Sequence, residues 1–259
     1  MILAFDIGNT NIVIGGFEKE KTAFLTRVAT DLAKTEAEYA VLVKNILDIY
    51  RVKRENIEGS IISSVVPPLN NVLTRVMELI CGKSPLLVGP GIKTGLNIAS
   101  GDPRELGADL VVAAVAALQK YPKPQIILDL GTATTFSVLD GKGVFRGVVI
   151  YPGVMVSFDA LASRTAQLPR ISFDEPRQVI GTTSVDSMQS GLIFGNAAML
   201  DGLIDRIEGE LGEKCTVIAT GGLSSKIIPH CKREIILDED LLLDGLRILY
   251  EKNQKPKKG

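Results

Sequence analysis

Residues 2–17, ILAFDIGNTNIVIGGF, return in altered form at residues 126–141 as IILDLGTATTFSVLDG. Each copy is an apolar run reaching an aspartate, Asp6 or Asp129. A glycine follows two residues on, then small hydroxyl or amide residues, then a second apolar run. A charged or glycine-bearing turn comes next in both, Glu18 to Lys21 and Asp140 to Gly143, ahead of a third extended stretch. A repeat of this kind governs the fold before local propensity does. Two copies are too few for a solenoid. They fit two related half-domains facing each other across a cleft, with Asp6 and Asp129 at matching positions.

Extended segments near 2–7, 11–17 and 22–28 open the first half, and segments near 126–129, 134–139 and 144–149 open the second. Helical patterns follow each set, which argues an α/β fold with mixed sheets and not a purely parallel doubly wound one. Thr35 and Glu38 have capping-box spacing ahead of a helix with Val41, Ile46, Leu47 and Tyr50 at helical intervals. Leu69, Val72, Leu73, Val76 and Ile80 mark a second helix. Asp102, Pro103 and Glu105 read as the cap and first turn of an Ala/Val-rich helix ending near Lys120. YPKP at 121–124 is the natural seam, giving halves 1–120 and 121–259. The longest helical pattern starts at Ser184. Its Gly191, Gly195, Ala197 and Ala198 would admit another element closely, either within the chain or from a second copy.

The chain has 259 residues, 46% of them hydrophobic, enough for a sizeable core. With 29 basic against 30 acidic side chains, nucleic acid is not an expected partner, and KNQKPKKG at the C-terminus reads as a frayed tail. No apolar run approaches the ~20 residues that span a bilayer, so no membrane partner is expected. The first residues begin a strand and not a signal peptide, and Cys81, Cys215 and Cys231 have no paired spacing. Reduced thiols in a cytoplasmic protein are the expectation. His230 is the single histidine, which excludes multi-histidine metal sites, and Pro229 and Cys231 place it in a loop.

Three stretches have the make-up of phosphate or nucleotide turns. In DIGNTN, Gly8 would let backbone amides approach an anion and Asp6 could hold Mg²⁺ on bridging phosphate oxygens. DLGTATT from Asp129 repeats the design, and ATGGLSS puts Gly221 and Gly222 after a buried strand, where a base or ribose could lie flat. Gly82-Lys83-Ser84 imitates the end of a Walker loop, but Met77 stands where that motif begins, and no GxGxxG occurs. Asp109 begins a run of apolar and small residues, where a charge must be solvated, paired or protonated. With Gly107 leaving room beside it, Asp109 is the candidate general base.

DIGNTN, DLGTATT and ATGGLSS resemble the phosphate-1, phosphate-2 and adenosine motifs of the acetate kinase, sugar kinase, Hsp70 and actin superfamily. Together with GPGIKTGL, GAD, TAQLP and MQSG, in this order, they resemble type III pantothenate kinases over about residues 1–250. The resemblance implies two duplicated ribonuclease H-like (actin-like ATPase) domains flanking a central nucleotide cleft, in a cytoplasmic homodimer. It implies phosphorylation of pantothenate by ATP, the first step of coenzyme A synthesis, with Mg²⁺ and a monovalent cation, K⁺ or NH₄⁺. It assigns Asp6, Ile7, Gly8, Asn9, Thr10, Asn11, Ile12, Val13 and Thr132 to ATP and Asp129 to the monovalent cation. Asp109 becomes the proton acceptor, and Gly107, Ala108, Asp109, Leu110 and Ser184 line the pantothenate pocket. Three positions depart from the family pattern: Leu110 replaces an arginine, Ser100 an aromatic residue and Ser184 a threonine. Losing the arginine removes a fork of donors. It leaves two alternatives, a nucleotide-binding regulator without catalysis or a kinase for another small alcohol.

Overall fold

A computed structural model describes residues 1–99, 106–169 and 171–254. The Asp102–Glu105 cap, Ser100 and the tail beyond Gln254 lie outside the described residues. The first sheet is built from β1 (Ile2–Ile7), β2 (Asn11–Glu18) and β3 (Lys21–Ala29), then α1 (Glu36–Ile49), β4 (Gly59–Ser64), α2 (Pro67–Cys81) and β5 (Leu86–Leu87). The chain continues through β6 (Asn97–Ile98) and α3 (Ala108–Lys120). Then come β7 (Gln125–Leu130), β8 (Ala133–Leu139), β9 (Val144–Pro152), α4 (Val154–Arg164), α5 (Ser184–Ser190) and α6 (Asn196–Leu211). Last are β10 (Thr216–Thr220), α7 (Ser224–Ile227), β11 (Ile236–Leu237) and α8 (Leu241–Asn253).

The strand order is β3-β2-β1-β4-β5 in one sheet and β11-β10-β7-β8-β9-β6 in the other. Read from β9, the second sheet repeats the first, with β6 added at its edge. The directions repeat as well. β1–β2 and β7–β8 are antiparallel, while β1–β4 and β7–β10 are parallel. The mixed α/β character expected from the repeat is therefore present twice. One compact unit takes Met1–Leu96, the stretch ending at Ala116 and the chain from Leu241; the other takes β6 and Ala117–Asp240. The last helix thus belongs with the first sheet.

Strand alternation fixes which way the acids point. Leu3, Phe5 and Ile7 join Tyr39, Val43, Leu69 and Leu73 in the first core, so Asp6 faces the opposite side. Gly15, the partner of Ala4, lets α8 approach that side, where an added Cβ would stand 3.1 Å from Leu243. In the second unit Ile126, Leu128 and Leu130 enter a core with Leu200 and Ile204, which turns Asp129 to the other face.

Local signals held where capping chemistry was explicit. The Glu38 amide donates to Thr35 Oγ1 at 3.4 Å and the Thr35 amide to Glu38 Oε2 at 2.8 Å, closing the capping box. The inward stripe of α1 is Tyr39, Val43, Ile46 and Leu47, whereas Val41 is 59% exposed. The pattern from Ser184 is helical throughout but passes through a π turn, Gly191–Gly195, between α5 and α6. Side chains added at Gly191 or Gly195 would meet nothing within 4 Å, while Ala197 is buried in the core. The reading of KNQKPKKG as a frayed tail is corrected at its start. Lys252 and Asn253 belong to α8, with Lys252 Nζ donating to the Thr94 carbonyl (2.7 Å) and Asn253 exchanging hydrogen bonds with Lys93 (2.9 and 3.0 Å). No described helix is long and apolar enough to cross a membrane.

Candidate active site

Asp6 lies at the end of the central strand of the first sheet, with Val13 beside it on β2 and Ser63 on β4. Past it, the Gly8 amide donates to the Asn11 carbonyl at 3.0 Å and closes a tight turn of residues 8–11 between the Ile7–Ile12 pair. The outer side of that turn is held by Thr30, the residue after β3. Its hydroxyl donates to the Gly8 carbonyl at 2.6 Å and its amide to the Thr10 carbonyl at 3.0 Å. Asn9, Thr10 and Asn11 are exposed, whereas Ile7 and Ile12 are buried in the core. The side chains of Ile7 and Ile12 therefore hold the turn down, and only their main chain is left for a ligand.

Asp109, on the first turn of α3, is brought into the electrostatic neighbourhood of Asp6. Burial pushes the Asp6 carboxyl up from 3.8 to about 7; the Asp109 carboxylate adds to the rise and the Ser63 hydroxyl lowers it. The Ser63 effect is the smallest of the three, and Ser63 Oγ is buried without a hydrogen bond of ordinary geometry. Asp109 itself is raised by burial, partly offset by the Leu110 amide, which donates to its Oδ1 at 2.8 Å. Gly107 is where the carboxylate needs space: a Cβ there would lie 2.5 Å from Asp109 Oδ1. Two carboxylates that share an environment resist ionising together. A cation placed between them relieves that resistance.

Asp129 stands at the same place in the second sheet, between Thr135 on β8 and Thr220 on β10. Here the Gly131 amide donates to the Ala133 carbonyl at 3.1 Å, and the turn between the Leu130–Thr134 pair is one residue shorter. Gly221, the first glycine of ATGGLSS, packs directly on the acid. It has φ +96°, and a Cβ would lie 2.5 Å from Asp129 Oδ1 and 2.6 Å from the Leu130 amide nitrogen. Gly153 packs on the turn from the other direction, where a Cβ would lie 2.1 Å from the Thr132 carbonyl oxygen. Thr132 is exposed at the tip of this turn.

Ser184 is the first residue of α5. It lines a pocket of about 510 Å³ with Ser157, Phe158, Leu161, Ser187 and Met188, and no other candidate residue lines that pocket. His230 Nε2 lies 3.4 Å from Glu175 and its ring meets Phe194 edge-on. All three cysteines are free, and burial pushes their thiols up, to about 11 for Cys215 and about 12 for Cys231. A raised thiol pKa disfavours the nucleophilic thiolate. Thr30, Ser63 and Gly153 are the residues that sequence reasoning passed over. Thr30 and Gly153 each follow the last residue of the third strand in their copy, so aligning the third strands of the repeat would have drawn attention to both.

An acid and a glycine turn after the central strand of two sheets, each containing the order 3-2-1-4-5, give the fold of the actin-like ATPases and sugar kinases. Solved structures share the architecture. The ADPNP-bound activator of 2-hydroxyisocaproyl-CoA dehydratase from Clostridium difficile matches with TM-score 0.57 and 13% identity, covering 97% of this chain and 94% of that one. The inorganic polyphosphate/ATP-glucomannokinase from Arthrobacter matches with TM-score 0.51 and 15% identity, covering 97% and 99%. Sequence similarity then narrows the class. The family model of type III pantothenate kinases matches residues 2–206. A type III pantothenate kinase from Exiguobacterium is 46% identical over 255 residues, 98% of this chain and 100% of its own length. The chain belongs to the type III pantothenate kinase family.

Proposed function

We propose that the protein transfers the γ-phosphoryl group of ATP to the primary hydroxyl of pantothenate, giving 4′-phosphopantothenate and ADP in the first step of coenzyme A synthesis. Family membership supplies the substrates, and the Asp6–Asp109 pair beside the glycine turn is the observation that carries the chemistry. Asp109 takes the proton of the attacking hydroxyl as its oxygen bonds to the γ-phosphorus and the bond to the leaving ADP oxygen breaks. Burial keeps its carboxyl above the ordinary range, which suits a base that must accept a proton. The exposed turn at 8–11 offers amides to the phosphates, and the family pattern assigns Thr132 to ATP as well. Phosphoryl transfer depends mainly on such positioning and charge neutralisation.

Among the described residues no three His, Cys, Asp or Glu side chains gather as a metal cluster. Mg²⁺ is commonly held by one or two carboxylates together with substrate phosphates. Asp6 would hold it, because a carboxyl raised to about 7 by burial and a like charge gains most from a cation. Mg²⁺ bound there would neutralise charge on the phosphate oxygens. Asp129 would hold the monovalent cation. The donor set suits one, since Thr135 stands beside Asp129 in register and its Oγ1 is buried without a hydrogen-bond partner.

Gly107, Ala108 and Leu110, beside Asp109, would line the pantothenate pocket; Ser184, which lines a pocket that none of them enters, is assigned to pantothenate by the family pattern alone. The protein would act as a cytoplasmic homodimer; Ile150 (66% exposed), Val156 (47%) and Leu161 (44%) leave apolar surface on β9 and α4 for a second copy. Leu110 in place of the family's arginine favours one second reading, a kinase for a different small alcohol. The deciding measurement is ADP release on adding pantothenate to enzyme, ATP and Mg²⁺, with and without K⁺. Turnover that needs both pantothenate and K⁺ is expected. Release with another alcohol only supports the second reading, and nucleotide binding without release makes the protein a non-catalytic regulator.

A further inference from the structure

The turn at residues 8–11 can serve phosphates only if its amides point outward, and the bond that closes it, from the Gly8 amide to the Asn11 carbonyl, involves neither the Asn9 nor the Asn11 amide. A trans peptide holds its carbonyl and the following amide in opposite directions. Fixing the Gly8 carbonyl therefore aims the Asn9 amide, and fixing the Thr10 carbonyl aims the Asn11 amide. Both carbonyls are fixed by one residue. Thr30 reaches the first with its hydroxyl at 2.6 Å and the second with its own amide at 3.0 Å.

Thr30 is itself held from behind. The neighbouring Asp31 amide donates to the Tyr39 hydroxyl at 3.0 Å, and that hydroxyl donates to the Asp31 carbonyl at 2.9 Å. Tyr39 is 1% exposed and sits in the first core, so its hydroxyl is a fixed point. Asp31 also closes on the Ala33 amide at 3.0 Å. A path of defined bonds thus runs from the core through Tyr39 and Thr30 to the turn.

We propose that Thr30 is a positioning residue for phosphate binding, which sets the direction of the Asn9 and Asn11 amides, and that Tyr39 holds Thr30 in place. The proposal rests on reading residues 8–11 as the turn that meets ATP phosphates. A hydroxyl serving only hairpin stability would act equally on any ligand of the protein, or on none. A hydroxyl that aims amides at phosphates acts on ATP and spares adenosine.

The test is calorimetric titration of the full chain with Mg²⁺-ATP and, separately, with adenosine. Thr30→Val keeps the shape and the main-chain bond but removes the hydroxyl. One such bond is worth roughly 1 kcal/mol, so ATP binding is expected to weaken about five- to tenfold, with adenosine unchanged. Thr30→Ser, which restores the donor, is expected to recover most of the loss. Tyr39→Phe is expected to shift ATP in the same direction by a smaller factor. Unchanged ATP affinity in Thr30→Val, or equal weakening of both ligands, overturns the proposal. If Thr30→Val does not fold, the ATP-to-adenosine ratio in Tyr39→Phe decides the matter by the same two criteria. Turnover of pantothenate by the unmodified protein is scored separately. Its absence would overturn the proposed function and leave the positioning role of Thr30 to be judged on the binding ratio alone.

Discussion

The Asp6 and Asp129 turns occupy equivalent places in two sheets of the same strand order, yet they are held by opposite means. The first is held by donated hydrogen bonds from Thr30, and its acid shares its surroundings with a second carboxylate, Asp109. The second is packed against bare backbone. Gly153 and Gly221 approach so closely that no side chain fits, and the acid is flanked by Thr135 and Thr220. Duplication accounts for the place of each acid, at the end of a central strand beyond which the ladder opens. The chemistry comes from what each copy's neighbours add. An acid pair suits a divalent ion and a proton; an acid between hydroxyls suits a nucleotide and a monovalent ion.

The largest expected effect separates the copies by their second carboxylate. Asp109→Asn should lower kcat by roughly 10²- to 10⁴-fold, the usual worth of a general base, while ATP affinity measured by titration stays within a few fold. Retention of full turnover would remove Asp109 from the chemistry and leave the two turns functionally alike. Asp129→Ala should abolish stimulation by K⁺, read as the ratio of rates with and without the salt. An unchanged ratio would mean that the second turn has no cation role.

The third prediction follows from charge. The folded-state carboxyl of Asp6, at about 7, lies above its ordinary 3.8, so folding favours the protonated acid. Its contribution to stability is complete below pH 3.8 and is lost as pH rises through about 7. Asp6→Asn should therefore stabilise the ligand-free protein above pH 7, by about 2–4 kcal/mol at ~1.4 kcal/mol per pKa unit. Urea unfolding at pH 5 and pH 8 checks the sign, and a variant no more stable than the parent at pH 8 would contradict it. Mg²⁺-ATP affinity of the unmodified protein should rise over the same range as Asp6 loses its proton. The smallest effect tests the bare-backbone half of the comparison. Gly153→Ala forces a methyl group against the Thr132 carbonyl and should destabilise by about 1–3 kcal/mol, the usual scale of overpacking. Its φ of −61° suits any residue, so the loss would be steric. A melting temperature equal to that of the parent would show that the turn can move aside.

Much of this was written in the chain itself. The doubled acid–glycine pattern named Asp6 and Asp129, predicted mixed sheets and located the turns, because strand periodicity and tight-turn chemistry are local. The Thr35 cap was legible for the same reason. Val41 was misread because several apolar positions in one helix fit more than one stripe, and only packing against the sheet selects the phase. Lys252 and Asn253 looked like a loose basic tail because their partners, Thr94 and Lys93, lie some 160 residues away.

By itself, then, the sequence determined the duplicated architecture, the family and the acids proposed to carry the chemistry, all of which rest on contiguous residues. Tertiary structure alone decided that Asp109 stands near enough to Asp6 to raise its pKa, that Thr30 bonds the first turn and Tyr39 the residue beside Thr30, and that Gly153 must be bare. Those facts depend on distances between residues remote in the chain. Such distances are set by how helices settle on the two faces of a sheet, and no local pattern encodes them.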